Sequence, residues 1–195
     1  MEIKTEKKVE TICPVNQQEW RSWLEENHYS KQAVWLIYYK KKSGNFTISW
    51  SEAVDEALCF GWIDSKAKPL DAERFMQFFT KRKPKSVWSK INKEKIKRLT
   101  DEGLITPAGY ESIEIAKQNG SWTILDEVEE LIIPPDLEKA FQIHTGSKDY
   151  FLSLSKSVRK SMLQWLVMAK RPETRQKRID EIAVLSAQKL KPKQF

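Results

Sequence analysis

The sequence predicts an α+β fold, a small mixed or antiparallel sheet with helices, followed by a helical C-terminal hairpin. Three observations predict it. Runs rich in β-branched and aromatic residues, VWLIYYK (34–40) and RFMQFFT (74–80), fall only in the first half of the chain. Helical apolar spacing with cap and stop residues fills the gaps between them. Beyond Trp122 no strand-like run recurs, and Val158, Met162, Trp165, Leu166 and Ala169 form one apolar helical stripe. With 195 residues, 40% hydrophobic, eight Trp and eight Phe, the chain can build one sizeable core or a domain with a small appendage.

Each element has a local reason. Residues 1–12 are charged and are expected to fray. From Asn16 a helix is expected, because Trp20, Trp23 and Leu24 stand at i, i+3, i+4. Residues 34–40 read as a buried strand, and Ser43-Gly44-Asn45 as a turn. Residues 46–50 are either a short return strand or the approach to the next helix. Ser49 or Ser51 caps that helix, and Glu52 stands three residues after Ser49 at the capping-box spacing. Val54, Ala57, Leu58 and Phe60 supply its buried side and Gly61 stops it.

Residues 62–68 and 74–80 then read as two strands joined by a turn at Pro69-Leu70-Asp71, the second buried on both faces. Ser86 or Ser89 caps the following helix, with Trp88, Ile91, Ile96 and Leu99 on its apolar side and Gly103 at its end. Thr106-Pro107 restarts a helix, N-cap then Pro at N1, that Gly120 closes. Pro134-Pro135 is the expected boundary, giving an α+β region over 10–123 and a helical region over 134–191 packed on it as one unit. Pro172 opens the last long helix, with Ile179, Ile182, Ala183 and Leu190 on one side.

Charge is unevenly spread. Residues 81–98 carry nine basic groups against one acidic, residues 101–149 three against eleven, and residues 156–195 eleven against three. Either the acidic middle pairs with the basic blocks, or a basic face is left for an anionic partner. Only Cys13 and Cys59 occur, in no metal-ligand spacing, so neither a disulfide scaffold nor a metal site is expected. No apolar run approaches the roughly 20 residues of a membrane helix, and the first residues hold no apolar leader segment. A cytoplasmic protein without membrane insertion is expected.

Residues 50–92 hold the chemistry-bearing groups, with Trp50, Trp62 and Trp88 interleaved with Gly61, Asp64, Arg82 and Asn92. Indole beside carboxylate, guanidinium and amide is the composition of a site with an apolar wall and a few oriented polar groups. Glu52 and Glu56 share a helix face and could divide acid and base roles, or simply complement the helix N-terminus, as could Asp55. Asp64 sits two residues from Trp62 on a strand. It serves either the site or a structural bond to a loop amide, Lys66 or Arg82.

The segment from Lys81 through Arg82, Lys85 and Ser86 to Trp88 combines basic side chains, hydroxyls and helix-start amides, a set suited to phosphate or carboxylate. Capping and packing explain the same residues otherwise. His28 and His144 are isolated, Cys59 between Leu58 and Phe60 reads as an inert buried thiol, and no nucleotide-binding or hydrolase motif occurs, so no cofactor is expected.

The segment W-S-E-A-V-D-E-A-L-C-F-G-W-I-D (50–64) resembles the bacteriocin-protection, YdeI or OmpD-associated (OmdA) family. So do Phe79, Thr80, Arg82, Pro84, Ser86, Trp88, Ser89 and Asn92, on the pattern F-T-x-R-x-P-x-S-x-W-S-x-x-N, with Lys81 where many relatives carry Pro. The segment 169–179 is similar to the family's A-K-x-x-x-T-R-x-x-R-I ending, in which Arg175 and Arg178 lie one turn apart and could face an anion. The resemblance spans roughly residues 30–190 and implies a role in envelope stress or bacteriocin tolerance.

Three functions follow as expectations. The first is a binding protein whose Trp-rich cleft, with Trp62, Asp64, Arg82, Lys85, Ser86, Trp88 and Asn92, holds a small anionic or aromatic ligand. The second is an enzyme using Glu52, Glu56 or Asp64 as general base. The third is a nucleic-acid or acidic-protein binder acting through the basic blocks.

Overall fold

The structure is a computed structural model that describes residues 9–45 and 47–195. The N-terminal stretch expected to fray lies outside the described residues as far as residue 8. Phe46, at the head of the possible return strand, lies outside them as well. The chain divides into two compact units, one ending at Trp122 and the other running Thr123–Phe195.

The first unit is α+β. Its elements are β1 (Thr11–Ile12), α1 (Gln17–Asn27), β2 (Ala33–Tyr39), α2 (Trp50–Cys59), β3 (Trp62–Pro69), β4 (Arg74–Lys81), α3 (Lys90–Asp101) and α4 (Pro107–Gln118). The sheet is mixed, in the order β1-β2-β4-β3, with β1 parallel to β2 and the other pairs antiparallel. Residues 47–49 form no strand and lead directly into α2.

Four helix starts carry side-chain caps where cap residues stand in the sequence. Asn16 accepts from the Glu19 amide, Ser89 from Asn92 and Thr106 from Gly109, while Ser49 and Glu52 exchange both bonds of a capping box.

β2 alternates strictly in burial, with Val34, Leu36 and Tyr38 in the core. β4 is central, yet its second face is only half covered. Phe78 pairs across the sheet with Trp35, their rings 4.7 Å apart, and the Lys66 and Lys68 ammonium groups lie over them. An unbroken apolar run does not reveal this by itself, since long Lys stems can shade an aromatic face while their charges stay in water. The core is aromatic where α1 meets the sheet. Trp20 stacks on Trp23 at 5.3 Å, meets Phe79 at 5.4 Å, and donates its indole N–H to the Ala53 carbonyl. Ile91 points outward, 62% exposed, instead of joining Ile96 and Leu99. Five residues before Ile96, it stands about 140° round the helix.

The second unit is helical: α5 (Asp126–Glu129), α6 (Pro135–Ile143), α7 (Ser147–Ser153), α8 (Lys156–Val167) and α9 (Pro172–Ala187). The expected pair, α8 and α9, is joined by three shorter helices, and α9 touches α6, α7 and α8. Ile179, Ile182 and Ala183 are buried on α9. Leu190 lies past its end and is exposed.

Much of the charge asymmetry is internal pairing: Asp136 with Arg175, Glu129 with Lys160 and Glu138 with Lys148. Arg178 lies over the Trp165 ring and donates to that residue's carbonyl. Among the described residues no helix is long and apolar enough to cross a membrane.

Candidate functional site

A cavity of about 170 Å³ opens in the first unit where α1, the α2–β3 junction, the end of β4 and α4 meet. Its geometry is set by how α4 is fastened. The Thr106 amide and hydroxyl both donate to the Cys59 carbonyl, at 3.0 and 2.7 Å, locking the start of α4 to the end of α2. Gly61, at φ +70°, turns the chain from α2 into β3. A Cβ there would stand 2.9 Å from the Ala108 carbonyl, so this close approach requires glycine. α4 then presents Ala108, Glu111, Ser112 and Ile115 to the cavity, the i, i+3, i+4, i+7 stripe of one helix face.

The opposite wall is aromatic and basic. Phe60 and Trp62 form the apolar part, and Trp62 is fully buried with its ring edge-on to Trp23 at 5.8 Å. The Arg82 amide donates to the Gly61 carbonyl, which carries the β4 side past the end of the ladder and brings Lys81, Arg82 and Lys83 to the cavity. The Pro84 carbonyl accepts from the Asn119 side chain at 2.7 Å and from Ser121, tying this loop to the end of α4.

Arg82 is the unusual group. Its guanidinium carbon lies 3.6 Å from the centre of the Trp88 ring, and Nη2 donates to the Val87 carbonyl at 2.8 Å. Among the described residues, Nε and Nη1 are buried without a hydrogen-bond partner and no carboxylate pairs with the group. Burial pushes it down to about 10, with the negative charge of Asp64 opposing. The indole N–H of Trp62 is likewise buried without a partner. A buried charge held by stacking and one carbonyl is costly to a fold, and groups kept at such a cost concentrate at functional sites.

His28 completes the site from the end of α1. Its Nδ1 lies 2.7 Å from the Leu24 carbonyl, and its ring packs on Tyr29 and Phe60. A carbonyl only accepts, so Nδ1 carries the proton. In the neutral ring Nε2 is therefore the acceptor.

Of the residues expected at the site, Trp62 and Arg82 line the cavity together. Trp88 backs Arg82 from the core side and also meets Trp122 at 4.9 Å. Asp64 accepts from the Trp50 indole and the Gln77 amide, both at 2.9 Å, and reaches Arg82 only through its charge. Lys85 is exposed, the Ser86 amide closes a turn on the Lys83 carbonyl, and the Asn92 amide serves the Ser89 cap; none of the three lines the cavity.

The other carboxylates have structural partners. Glu52 closes the capping box, and its bonds to Ser49 hold its carboxyl below the usual range. Glu56, 4% exposed, accepts from Gln17 at 2.6 Å and Arg21 at 2.7 Å. Asp55 pairs with Lys95 and Arg98. Cys59 is buried, and desolvation pushes its thiol up to about 12. Among the described residues no group of His, Cys, Asp and Glu could hold a metal ion.

His28, Glu111 and Ser112 carry no motif, so sequence reasoning passes over them. The only available signal was the α4 stripe itself, whose polar members interrupt an otherwise apolar spacing.

A family model described as a domain of unknown function (DUF8412) matches residues 12–112, which include every cavity-lining residue but Ile115. The model for bacteriocin-protection, YdeI or OmpD-associated proteins matches residues 130–189. Segments 50–64 and 79–92 thus fall in the first match, and 169–179 in the second. No curated protein and no solved structure matches the chain. With more than half of its length in the first match, the chain belongs to the DUF8412 family, and its C-terminal part is similar to the bacteriocin-protection, YdeI or OmpD-associated family.

Proposed function

We propose that this protein binds a small anionic ligand, a carboxylate or phosphate with an apolar body, in the cavity between Arg82 and α4. One observation carries the reading: Arg82 is half-buried beside the cavity, and among the described residues its buried Nε and Nη1 have no hydrogen-bond partner and its charge no carboxylate. An oxyanion supplies the missing countercharge, and a shift of the guanidinium that brings Nε and Nη1, closed off from solvent, to the cavity lets it take two parallel bonds. Phe60 and Trp62 supply the wall for the apolar part. About 170 Å³ accommodates a single ring, since a cavity near 150 Å³ holds benzene.

The enzyme reading through Glu52, Glu56 or Asp64 is less well supported, because capping, ion pairing and the Trp50 and Gln77 bonds already engage those carboxylates. The nucleic-acid reading also weakens. Within the basic block Lys95 and Arg98 pair with Asp55, Lys81 donates to the Tyr29 carbonyl, and Arg82 lies on Trp88. We attach the ligand-binding role to bacteriocin tolerance or envelope stress, exercised from the cytoplasm. The family's description and two free thiols support this.

Calorimetric titration and thermal shift with benzoate and with inorganic phosphate test the proposal. Saturable binding of either, lost in Arg82→Met, is expected. Binding that survives Arg82→Met, or no binding of either anion at millimolar concentration, refutes it.

A further inference from the structure

The cavity is not uniformly basic. Beside Lys81, Arg82 and Lys83 the lining holds Glu111 and Ser112 of α4, and His28 of α1 with Nδ1 fixed as donor to Leu24. Carboxylate oxygens only accept, and the neutral ring offers only a lone pair at Nε2. The lining therefore carries cationic donors and acceptors together, next to the Phe60 ring on which His28 packs. A simple anion satisfies the donors and leaves the acceptors without use, while Glu111 repels it. A group carrying positive N–H donors next to the anion satisfies both.

We propose that the ligand is a zwitterion of the α-amino acid class with an apolar side chain. Its carboxylate faces Arg82, its ammonium faces Glu111 and His28 Nε2, and its side chain lies against Phe60 and Trp62. This rests on the anion-binding reading and deepens it. Lys81, whose ammonium donates to the Tyr29 carbonyl, keeps its charge and two further donors and adds to the carboxylate side. Lys83 is exposed and adds only a solvent-screened positive charge to the carboxylate side.

The test uses three probes sharing one ring and tail: phenylalanine, 3-phenylpropanoate and 2-phenylethylamine, titrated into the full chain near neutral pH. Phenylalanine is expected to bind at least about tenfold tighter than either single-charge probe, as one further charge-assisted hydrogen bond gives. In Glu111→Gln, an exposed helical position whose change leaves the fold intact, phenylalanine is expected to weaken about tenfold while 3-phenylpropanoate holds or tightens. If 3-phenylpropanoate binds in an Arg82-dependent way as tightly as phenylalanine, or Glu111→Gln leaves the ranking unchanged, the zwitterion proposal falls and the anion reading stands. If neither of these two probes, nor benzoate, nor inorganic phosphate binds, both fall.

Discussion

Replacing Arg82 by Met separates a site residue from a structural one, because the two roles give stability effects of different size. Held near 10, below its ordinary value, the guanidinium is destabilised in the fold by about 3 kcal/mol at neutral pH. That cost is fully present below about 10 and is relieved as pH rises from there towards the unfolded value. Against it stand one charged hydrogen bond to Val87 and the stack on Trp88, together about 2–4 kcal/mol. Met keeps most of the packing on Trp88 and adds a sulfur–aromatic contact.

The opposing contributions nearly cancel, so Arg82→Met is expected to shift unfolding stability by less than about 1 kcal/mol in either direction. Arg21→Met is the control. Arg21 is ion-paired to the buried Glu56, and its removal strands that carboxylate, at an expected cost of about 3 kcal/mol. Urea denaturation followed by Trp fluorescence reads both. A loss at Arg82 equal to that at Arg21 would show that Arg82 holds the fold together, and the site argument built on it would be wrong.

Three other outcomes are expected. Gly109→Ala places a Cβ 2.3 Å from the Cys59 carbonyl, at the contact that fastens α4 to α2. The loss should exceed about 1 kcal/mol even though Ala favours helix, and an unchanged urea midpoint would contradict it. Iodoacetamide at pH 8 should label exposed Cys13 and spare Cys59, whose thiol burial pushes up to about 12; equal labelling in the folded protein would contradict its burial. Arg175 holds the Asp136 carboxyl below its usual 3.8, so its contribution is present above that value and is lost as pH falls through the lower folded one. Asp136→Asn should lower stability near pH 7, where that contribution is fully present, change little in strong acid, and so flatten the acid side of the profile; an unchanged acid limb would contradict the pairing.

The parts legible in the sequence are those whose cause is local. Caps at Asn16, Ser49, Ser89 and Thr106, the Gly61 stop and the strands around residues 34–40 and 74–80 each depend on a few neighbouring residues, and each forms where its local signal stands. The site depends on distant ones. Arg82 stands out in a basic stretch, but that it lacks a carboxylate while Arg21 has one depends on where α1 and α2 cross. His28 reads as isolated because its partners are a backbone carbonyl four residues back and a ring 32 residues on. Glu111 looks like any solvated helical carboxylate until α4 is placed. The error at Ile91 has the same origin, since apolar residues were grouped along the sequence before their angles round the helix were compared.

The motif residues are better explained by this framing than by chemistry of their own. Trp50 and Asp64 bond each other, Glu52 caps α2, Glu56 anchors Arg21, and Pro84 offers its carbonyl to Asn119 and Ser121. Together they fix the α2–β3 junction and the β4 loop on either side of the cavity. Such a frame has to be rigid if Arg82 is to remain unpaired, because a mobile loop would let the guanidinium swing to water or to a surface carboxylate and relieve its burial. Asn119→Ala removes the 2.7 Å bond to the Pro84 carbonyl at an exposed site outside the cavity lining. It should therefore weaken benzoate binding several-fold while costing only about 1 kcal/mol of stability. Unaltered binding would mean that the frame is not what holds Arg82 in place.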